Sequence, residues 1–293
     1  MSIESNIEKL YAMMNSCEIC PRKCGVKRNE GQSGICNTGN KILISSYNVH
    51  TGEEPPISGE KGSGTIFFTN CTLKCVFCQN YPISQLGNGK EFSVQELADI
   101  MLGLQKKGVH NINFVTPTHY SAQIAEAVYI ARKLGLTIPT VFNCSGYERV
   151  EVLKLLEDTV DIYLPDIKYS DNETAFKYSG VKDYVEVNRL ALKEMIRQKG
   201  ILKIGENGIA KKGVLIRHMV LPGNVENTKN SLDFIAKELS TETFLSLMAQ
   251  YHPAHKSSQY EELSRSLTFE EYEEAFNHLE QLNLENGWQQ ELE

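Results

Sequence analysis

The eight residues Cys71-Thr-Leu-Lys-Cys75-Val-Phe-Cys78 constrain this chain more than any other stretch. Their three cysteines are separated by three and two residues and follow an apolar run, Thr65-Ile66-Phe67-Phe68, that reads as a strand. Three thiolates on one short loop can hold three irons of a [4Fe–4S] cluster, which normally takes four cysteine ligands. One iron is then left open, and an open metal position marks a reactive site where a closed one is structural. The competing reading is three cysteines buried as small hydrophobes, or lent to a zinc site completed elsewhere. The tight spacing, with Phe77 directly before the third cysteine, favours the iron site.

Composition removes whole classes of function. With 293 residues the chain admits one large or two modest domains and a sizeable core. A hydrophobic content of 41% and a charged content of 23% are those of a globular protein in water. The net charge of −7, with no basic run interleaved with aromatics, argues against nucleic acid as a partner. No stretch approaches the roughly eighteen apolar residues of a membrane span, so no membrane partner is expected. Met1-Ser-Ile-Glu-Ser-Asn-Ile-Glu lacks the basic start and apolar core of a signal peptide. The expected location is cytoplasmic, where thiols stay reduced and eight cysteines are not a disulfide framework.

Seven of those cysteines fall between Cys17 and Cys78, leaving only Cys144 beyond. The front group is Cys17-Glu-Ile-Cys20-Pro-Arg-Lys-Cys24, completed by Cys36, with Gly25, Gly31 and Gly34 between. Four cysteines in a segment too poor in apolar residues to fold alone point to a metal knuckle. All-thiolate ligation suits zinc, and it suits an auxiliary [4Fe–4S] cluster equally; both remain open.

Apolar periodicity lays out the rest. Residues 3–16 read as an amphipathic helix, and 37–64 as loop and short-strand material rich in glycine and proline. Strands follow at 65–69, 111–115, 138–142, 160–164, 214–221 and 244–250. Helices alternate with them at 93–107, 121–134, 147–157, 182–199 and 226–239. Residues 201–212 read as a hairpin or loop insertion. From Thr268 an acidic helix turns Phe269, Tyr272, Phe276 and Leu279 inward. The expected fold is α/β, a partial (β/α)6 barrel of the TIM type with a parallel sheet and a small N-terminal cysteine-rich knuckle. Its expected divisions are 1–40 for the metal segment, 41–64 for a linker with short strands, 65–257 for the barrel and 258–293 for a helical cover.

In parallel α/β proteins the working residues stand at the C-terminal ends of the strands. Those ends carry Thr116-Pro-Thr118-His119, Asn143-Cys-Ser145-Gly146, Asp166-Ile-Lys168, Arg217-His218 and Tyr251-His252. Polar and titratable groups on five successive strand ends are what a cofactor pocket in a barrel mouth requires.

Cys-x3-Cys-x-aromatic-Cys after a first strand resembles the signature of the radical SAM (S-adenosylmethionine) superfamily. Within it the chain is similar to the pyruvate formate-lyase activating enzymes, PflX-like branch. That resemblance rests on Asp166-Ile-Lys168, on Val214-Leu-Ile-Arg217 through Leu221-Pro-Gly223, on Tyr251-His252 and on the front cysteine group. It implies an enzyme that reductively cleaves SAM at a [4Fe–4S] cluster held by Cys71, Cys75 and Cys78. The 5′-deoxyadenosyl radical so formed takes a hydrogen atom from a substrate. It implies SAM contacts among Phe77, Thr116, Thr118, His119, Asn143, Ser145, Asp166, Lys168, Arg217 and His252. The partners implied are a glycyl radical enzyme as protein substrate and an electron donor such as flavodoxin or ferredoxin. Two positions depart from the pattern. Thr116-Pro-Thr118-His119 stands where a Gly-Gly-Glu-Pro is usual, and Asn143 stands where the activators have an aspartate. A small-molecule or other peptide substrate, and a non-catalytic iron–sulfur protein, are the alternative readings.

Overall fold

All six expected strand–helix units form, and their strands lie side by side in sequence order. The computed structural model describes residues 2–290. Helix α1 (Ile3–Ala12) leads into the cysteine-rich segment, and strand β1 (Ile42–His50) follows it. The one-turn helix α2 (Pro55–Ser58) precedes β2 (Ser63–Phe68), which ends at the Cys71 loop, and α3 (Tyr81–Ser84) closes that loop. Next come β3 (Lys90–Phe92), α4 (Val94–Lys106), β4 (Ile112–Val115), α5 (Ser121–Lys133), β5 (Thr140–Cys144) and α6 (Val150–Leu155). Strand β6 (Ile162–Pro165) is followed by two helices, α7 (Asn172–Ser179) and α8 (Tyr184–Lys199). The short β7 (Lys203–Ile204) pairs antiparallel with β8 (Ala210–Met219), the hairpin expected over 201–212. Helix α9 (Val225–Phe234), β9 (Phe244–Met248), α10 (Phe269–Gln281) and β10 (Gly287–Gln289) complete the order.

The sheet runs β3-β1-β2-β4-β5-β6-β8-β9-β10. From β2 to β10 every neighbouring pair is parallel, whereas β1 pairs antiparallel with both β2 and β3. The result is an α/β fold with a mostly parallel open sheet, consistent with a partial barrel. Local chemistry sets the helix boundaries. Ser93 accepts from Glu96 N–H while the Glu96 carboxylate accepts from Ser93 N–H, a complete capping box, and α4 then buries Leu97, Met101 and Leu104. Thr268 and Glu271 repeat the device at α10.

Alternation along the strands separates two faces. Phe142, Tyr163 and Ile216 pack outward into a cluster with α1, α8 and α9. Their neighbours Val141, Ile162, Leu164 and Leu215 point inward and pack on Ile57 of α2. Two residues further along those same strands, Asn143, Asp166 and Arg217 therefore also point inward, at the mouth. Within the 41–64 stretch, Ile57 is fully buried against these inward residues, held by Asn111 Nδ2 donating to Ile57 O at 2.7 Å.

Three elements differ from expectation. Strand β1 is nine residues long and lies in the sheet between β2 and the edge strand β3. Helix α7 has no counterpart in the periodicity, since only Ala175, Tyr178 and Ser179 of its eight residues are buried. In α10 the buried residues are Ala275 and Leu279, and Phe269, expected inward, is 65% exposed because it sits in the first turn beyond the reach of the core.

Candidate active site

The inward polar residues converge on one cavity of about 230 Å³ at the C-terminal ends of the strands. Cys71, Cys75 and Cys78 line one side, with Phe77 between them. Thr116, Asn143, Ser145, Asp166, Lys168 and Arg217 line the other. The cysteine loop is held by its own backbone and by the loops around it. Asn70 N–H donates to Ile83 O at 3.0 Å, Val76 N–H to Tyr178 O at 2.8 Å, and Lys256 N–H to Val76 O at 2.8 Å. Phe77 is buried against Tyr169, Tyr178 and Tyr251, whose rings meet it edge-on.

Arg217 organises the opposite wall. Its Nε donates to Asp166 Oδ1 at 3.1 Å and its Nη2 to Asn143 Oδ1 at 2.6 Å. Its Nη1 lies 3.5 Å from Glu53 Oε2. Lys168 Nζ stands 2.7 Å from Asp166 Oδ2. Burial alone would push the Asp166 carboxyl up, but Lys168 and Arg217 outweigh it and hold it below the usual aspartate range. For Lys168, burial opposes the charge, and Asp166 together with Cys75 restores it and carries it higher. Asn143 serves Arg217 as an acceptor, the part a carboxylate would play with one more negative charge.

Helix α8 staples two of these loops together. Tyr184 OH donates to Ser145 O at 2.9 Å and accepts from Lys168 N–H at 2.9 Å. Asn188 Nδ2 donates to Gly146 O and Asp166 O, both at 3.1 Å. Gly146 has φ +70°, and a Cβ there would lie 2.2 Å from both Asp166 O and Asn188 Nδ2, so only glycine allows this approach. Thr116, a β-branched residue at φ +59°, is the strained position of the wall; such a conformation costs on the order of 1–3 kcal/mol and concentrates at functional sites.

Three expected cofactor contacts lie elsewhere. After Pro117 a 3-10 turn winds Thr118 and His119 out of the mouth. Thr118 Oγ1 donates to Glu148 Oε1 at 2.6 Å, and His119 Nε2 lies 2.8 Å from Thr69 O, buried, with burial lowering its pKa to about 3. His252 is exposed at the rim, with Nδ1 3.1 Å from Gln79 Nε2, and does not line the cavity, although Gln79 and Gln250 do. Glu53, which the sequence pattern does not single out, lies in a glycine- and proline-rich stretch. It is 9% exposed at its side chain, accepts from Asn113 Nδ2 at 2.9 Å and completes the Arg217 network. The sequence does mark its donor Asn113: with Asn111 and Asn143 it interrupts apolar stretches otherwise buried on both faces.

These residues suit a [4Fe–4S] cluster and a bound SAM. The three thiols share one wall, and burial, then the neighbouring thiol of Cys75, pushes Cys71 up to about 12. Burial likewise raises Cys78. Neutral thiols crowded together are what metal ligation converts to thiolates. Across the cavity from the thiols, Ser145 Oγ is buried without a hydrogen-bond partner, an orphan that a polar ligand would satisfy.

Residues 65–235 match the radical SAM superfamily. This chain belongs to the radical SAM superfamily. Membership implies a [4Fe–4S] cluster and SAM as cofactors. Among curated proteins, the uncharacterized protein MJ0674 of Methanocaldococcus jannaschii is 32% identical, covering 97% of this chain and 80% of that protein. MJ0808 of the same organism is 25% identical over 90% of this chain and 80% of its own. Streptococcus suis SuiB bound to S-adenosylmethionine shares the fold with a TM-score of 0.52 at 14% identity, over 76% of this chain. The radical SAM protein described here spans only about half of SuiB, 48% of that chain. Methylornithine synthase (PylB) gives a TM-score of 0.52 at 15% identity, over 99% of this chain and 72% of its own.

The front cysteines pack against the radical SAM core. Cys17 and Ile19 are buried in the outer cluster with α1 and α6. All four thiols are free, and burial first, then neighbouring thiols, pushes Cys20 up to about 12. Gly34 lies so close to Cys24 that a Cβ would meet its Sγ at 2.4 Å. Among the described residues, no three His, Cys, Asp or Glu side chains converge tightly enough for a single metal ion. Arg22, between Cys20 and Cys24, reaches across to the other cysteine loop. Its Nε donates to Thr72 O at 3.0 Å and its Nη2 to Leu73 O at 3.3 Å and Ser179 O at 2.9 Å. Its Nη1 donates to Gly180 O at 2.6 Å.

Proposed function

We propose that this radical SAM protein cleaves SAM reductively at a cluster held by Cys71, Cys75 and Cys78, and that the 5′-deoxyadenosyl radical so formed takes hydrogen from a substrate. The observation that carries the reading is the shared cavity: three cysteine thiols face the Asp166–Lys168–Arg217 array across about 230 Å³. In this reading Asp166, Lys168 and Ser145 are the polar contacts of SAM, Thr116 and Asn143 border it, and Phe77 closes the cysteine side against water. Thr118 and His119 act from behind the wall, and His252 from its rim. Incubation with SAM under a strong reductant tests this through release of methionine and 5′-deoxyadenosine in equal amounts.

The narrower reading is activation of a glycyl radical enzyme, with an electron donor such as flavodoxin or ferredoxin. It is supported by the resemblance of Asp166-Ile-Lys168, Val214-Leu-Ile-Arg217 through Leu221-Pro-Gly223 and Tyr251-His252 to the pyruvate formate-lyase activators. Spin resonance after mixing with SAM, reductant and a glycyl radical enzyme is expected to give a glycyl doublet. Its absence across several such enzymes, with deoxyadenosine still released, points to a small-molecule or peptide substrate instead.

Cys17, Cys20, Cys24 and Cys36 are proposed to hold a second metal. An auxiliary [4Fe–4S] cluster brings the chain to about eight irons, whereas a zinc leaves about four irons and one zinc. Metal analysis of the purified protein decides between them.

A further inference from the structure

Each of the three sulfurs in the Cys71 loop meets a hydrogen-bond donor from the protein. Leu73 N–H donates to Cys71 Sγ at 3.4 Å, a long contact fixed by the backbone. The other two donors are side chains. The Ser179 hydroxyl donates to Cys75 Sγ at 3.0 Å, and Ser84 Oγ lies 3.1 Å from Cys78 Sγ. A ligating thiolate has no proton to give, so Ser84 is the donor once Cys78 binds a metal.

Both hydroxyls are fixed in place. Ser179 and Ser84 are each 5% exposed. Ser179 is the last residue of α7, which stops at Gly180 in the left-handed conformation. Its Oγ also lies 2.6 Å from Tyr169 OH, and its carbonyl accepts from Arg22. Ser84 ends α3, with its N–H donating to Asn80 O at 2.9 Å. The α7 that delivers Ser179 is the helix that strand–helix alternation leaves unexplained, inserted between β6 and α8.

Hydrogen bonds to the sulfurs are among the determinants of an iron–sulfur cluster's reduction potential. A donor stabilises the state with more negative charge on sulfur, which is the reduced one. We propose that Ser179 and Ser84 raise the reduction potential of the cluster held by Cys71, Cys75 and Cys78, with Tyr169 and Arg22 as positioning residues for Ser179. This rests on the radical SAM reading above, and it concerns how readily the site accepts its electron.

The test is a potentiometric titration of the full-length, anaerobically reconstituted protein, followed by the spin-resonance signal that responds to added SAM. Ser179→Ala and Ser84→Ala are each expected to move the midpoint to a more negative value, and the double variant further still. Ser179→Thr keeps the hydroxyl and is expected to stay near the starting value, while Tyr169→Phe moves it in the same direction by less than Ser179→Ala. Unchanged midpoints in both alanine variants, at unchanged iron content, overturn the proposal. If Ser179→Ala does not retain iron, Ser84→Ala and Tyr169→Phe decide by the same criterion. A starting protein with no SAM-responsive signal removes the underlying reading, and that outcome is distinct from a signal that the serines fail to shift.

Discussion

Lys168 Nζ stands 2.7 Å from Asp166 Oδ2, and both side chains line the cavity that Cys71, Cys75 and Cys78 share. Arg217 takes the second Asp166 oxygen, so one carboxylate bridges two buried cations, with Glu53 beside Arg217 supplying a second carboxylate. Asp166→Asn leaves Lys168 without its carboxylate partner and Arg217 with Glu53 alone. Breaking a buried pair from one side costs about 3–5 kcal/mol, and this pair is slightly exposed, so a loss of about 3 kcal/mol is expected in a denaturant titration near pH 7. Because the Asp166 carboxyl is held below its usual range, its contribution is complete above the unfolded aspartate value of roughly 3.9. It is lost as pH falls through the lower folded value. The stability gap between the two proteins should therefore be flat from about pH 5 to 7 and shrink in stronger acid.

Arg22 joins the two cysteine groups mechanically. Its guanidinium serves four carbonyls at once, two on the Cys71 loop and two at the C-terminal end of α7, where a cation is also favoured by the helix dipole. Arg22→Ala is expected to lower stability by about 2 kcal/mol, given about 1.5–3 kcal/mol for a charged hydrogen bond at a partly exposed site. Arg22→Lys should recover little of this, because an ammonium cannot span the fork. Thermal unfolding of the metal-free protein measures both.

Glu148 is a buried carboxyl behind the site, accepting from Thr118, with burial pushing its pKa up to about 8. Between the unfolded value of roughly 4.3 and that folded value, the unfolded chain has released a proton that the folded one keeps. Stability therefore falls as pH rises through this window, by up to about 1.4 kcal/mol per unit, and levels above it. Glu148→Gln removes the slope and should be the more stable protein at pH 8. Equal pH profiles for the two proteins contradict this.

Much of the site is legible in the sequence because it lies on short stretches whose roles are local. The cysteine spacing places three thiols on one loop, and Asn143, Asp166 and Arg217 interrupt apolar strands where strand ends should be. Glu53 is different. Gly52-Glu53-Glu54-Pro55-Pro56 has the composition of a turn, and its value lies in reaching Asn113 and Arg217, contacts that no local pattern carries. Thr118 and His119 stand near a strand end in sequence, but the turn after Pro117 carries them behind the wall. Helix α7 leaves no trace in the sequence because its mixed polar face lacks an apolar stripe, and β10 leaves none because a strand of three residues has no period.

Cys71, Cys75 and Cys78 are proposed to hold the cluster at which SAM is cleaved. The most direct measurement is 5′-deoxyadenosine released by the anaerobically reconstituted protein with SAM and a strong reductant, set beside Cys75→Ala. The expected result is steady release by the unaltered protein, and release at the background of reductant alone by Cys75→Ala, with about four fewer irons per chain. Equal release by both, or a full complement of iron with no deoxyadenosine from the unaltered protein, contradicts the account.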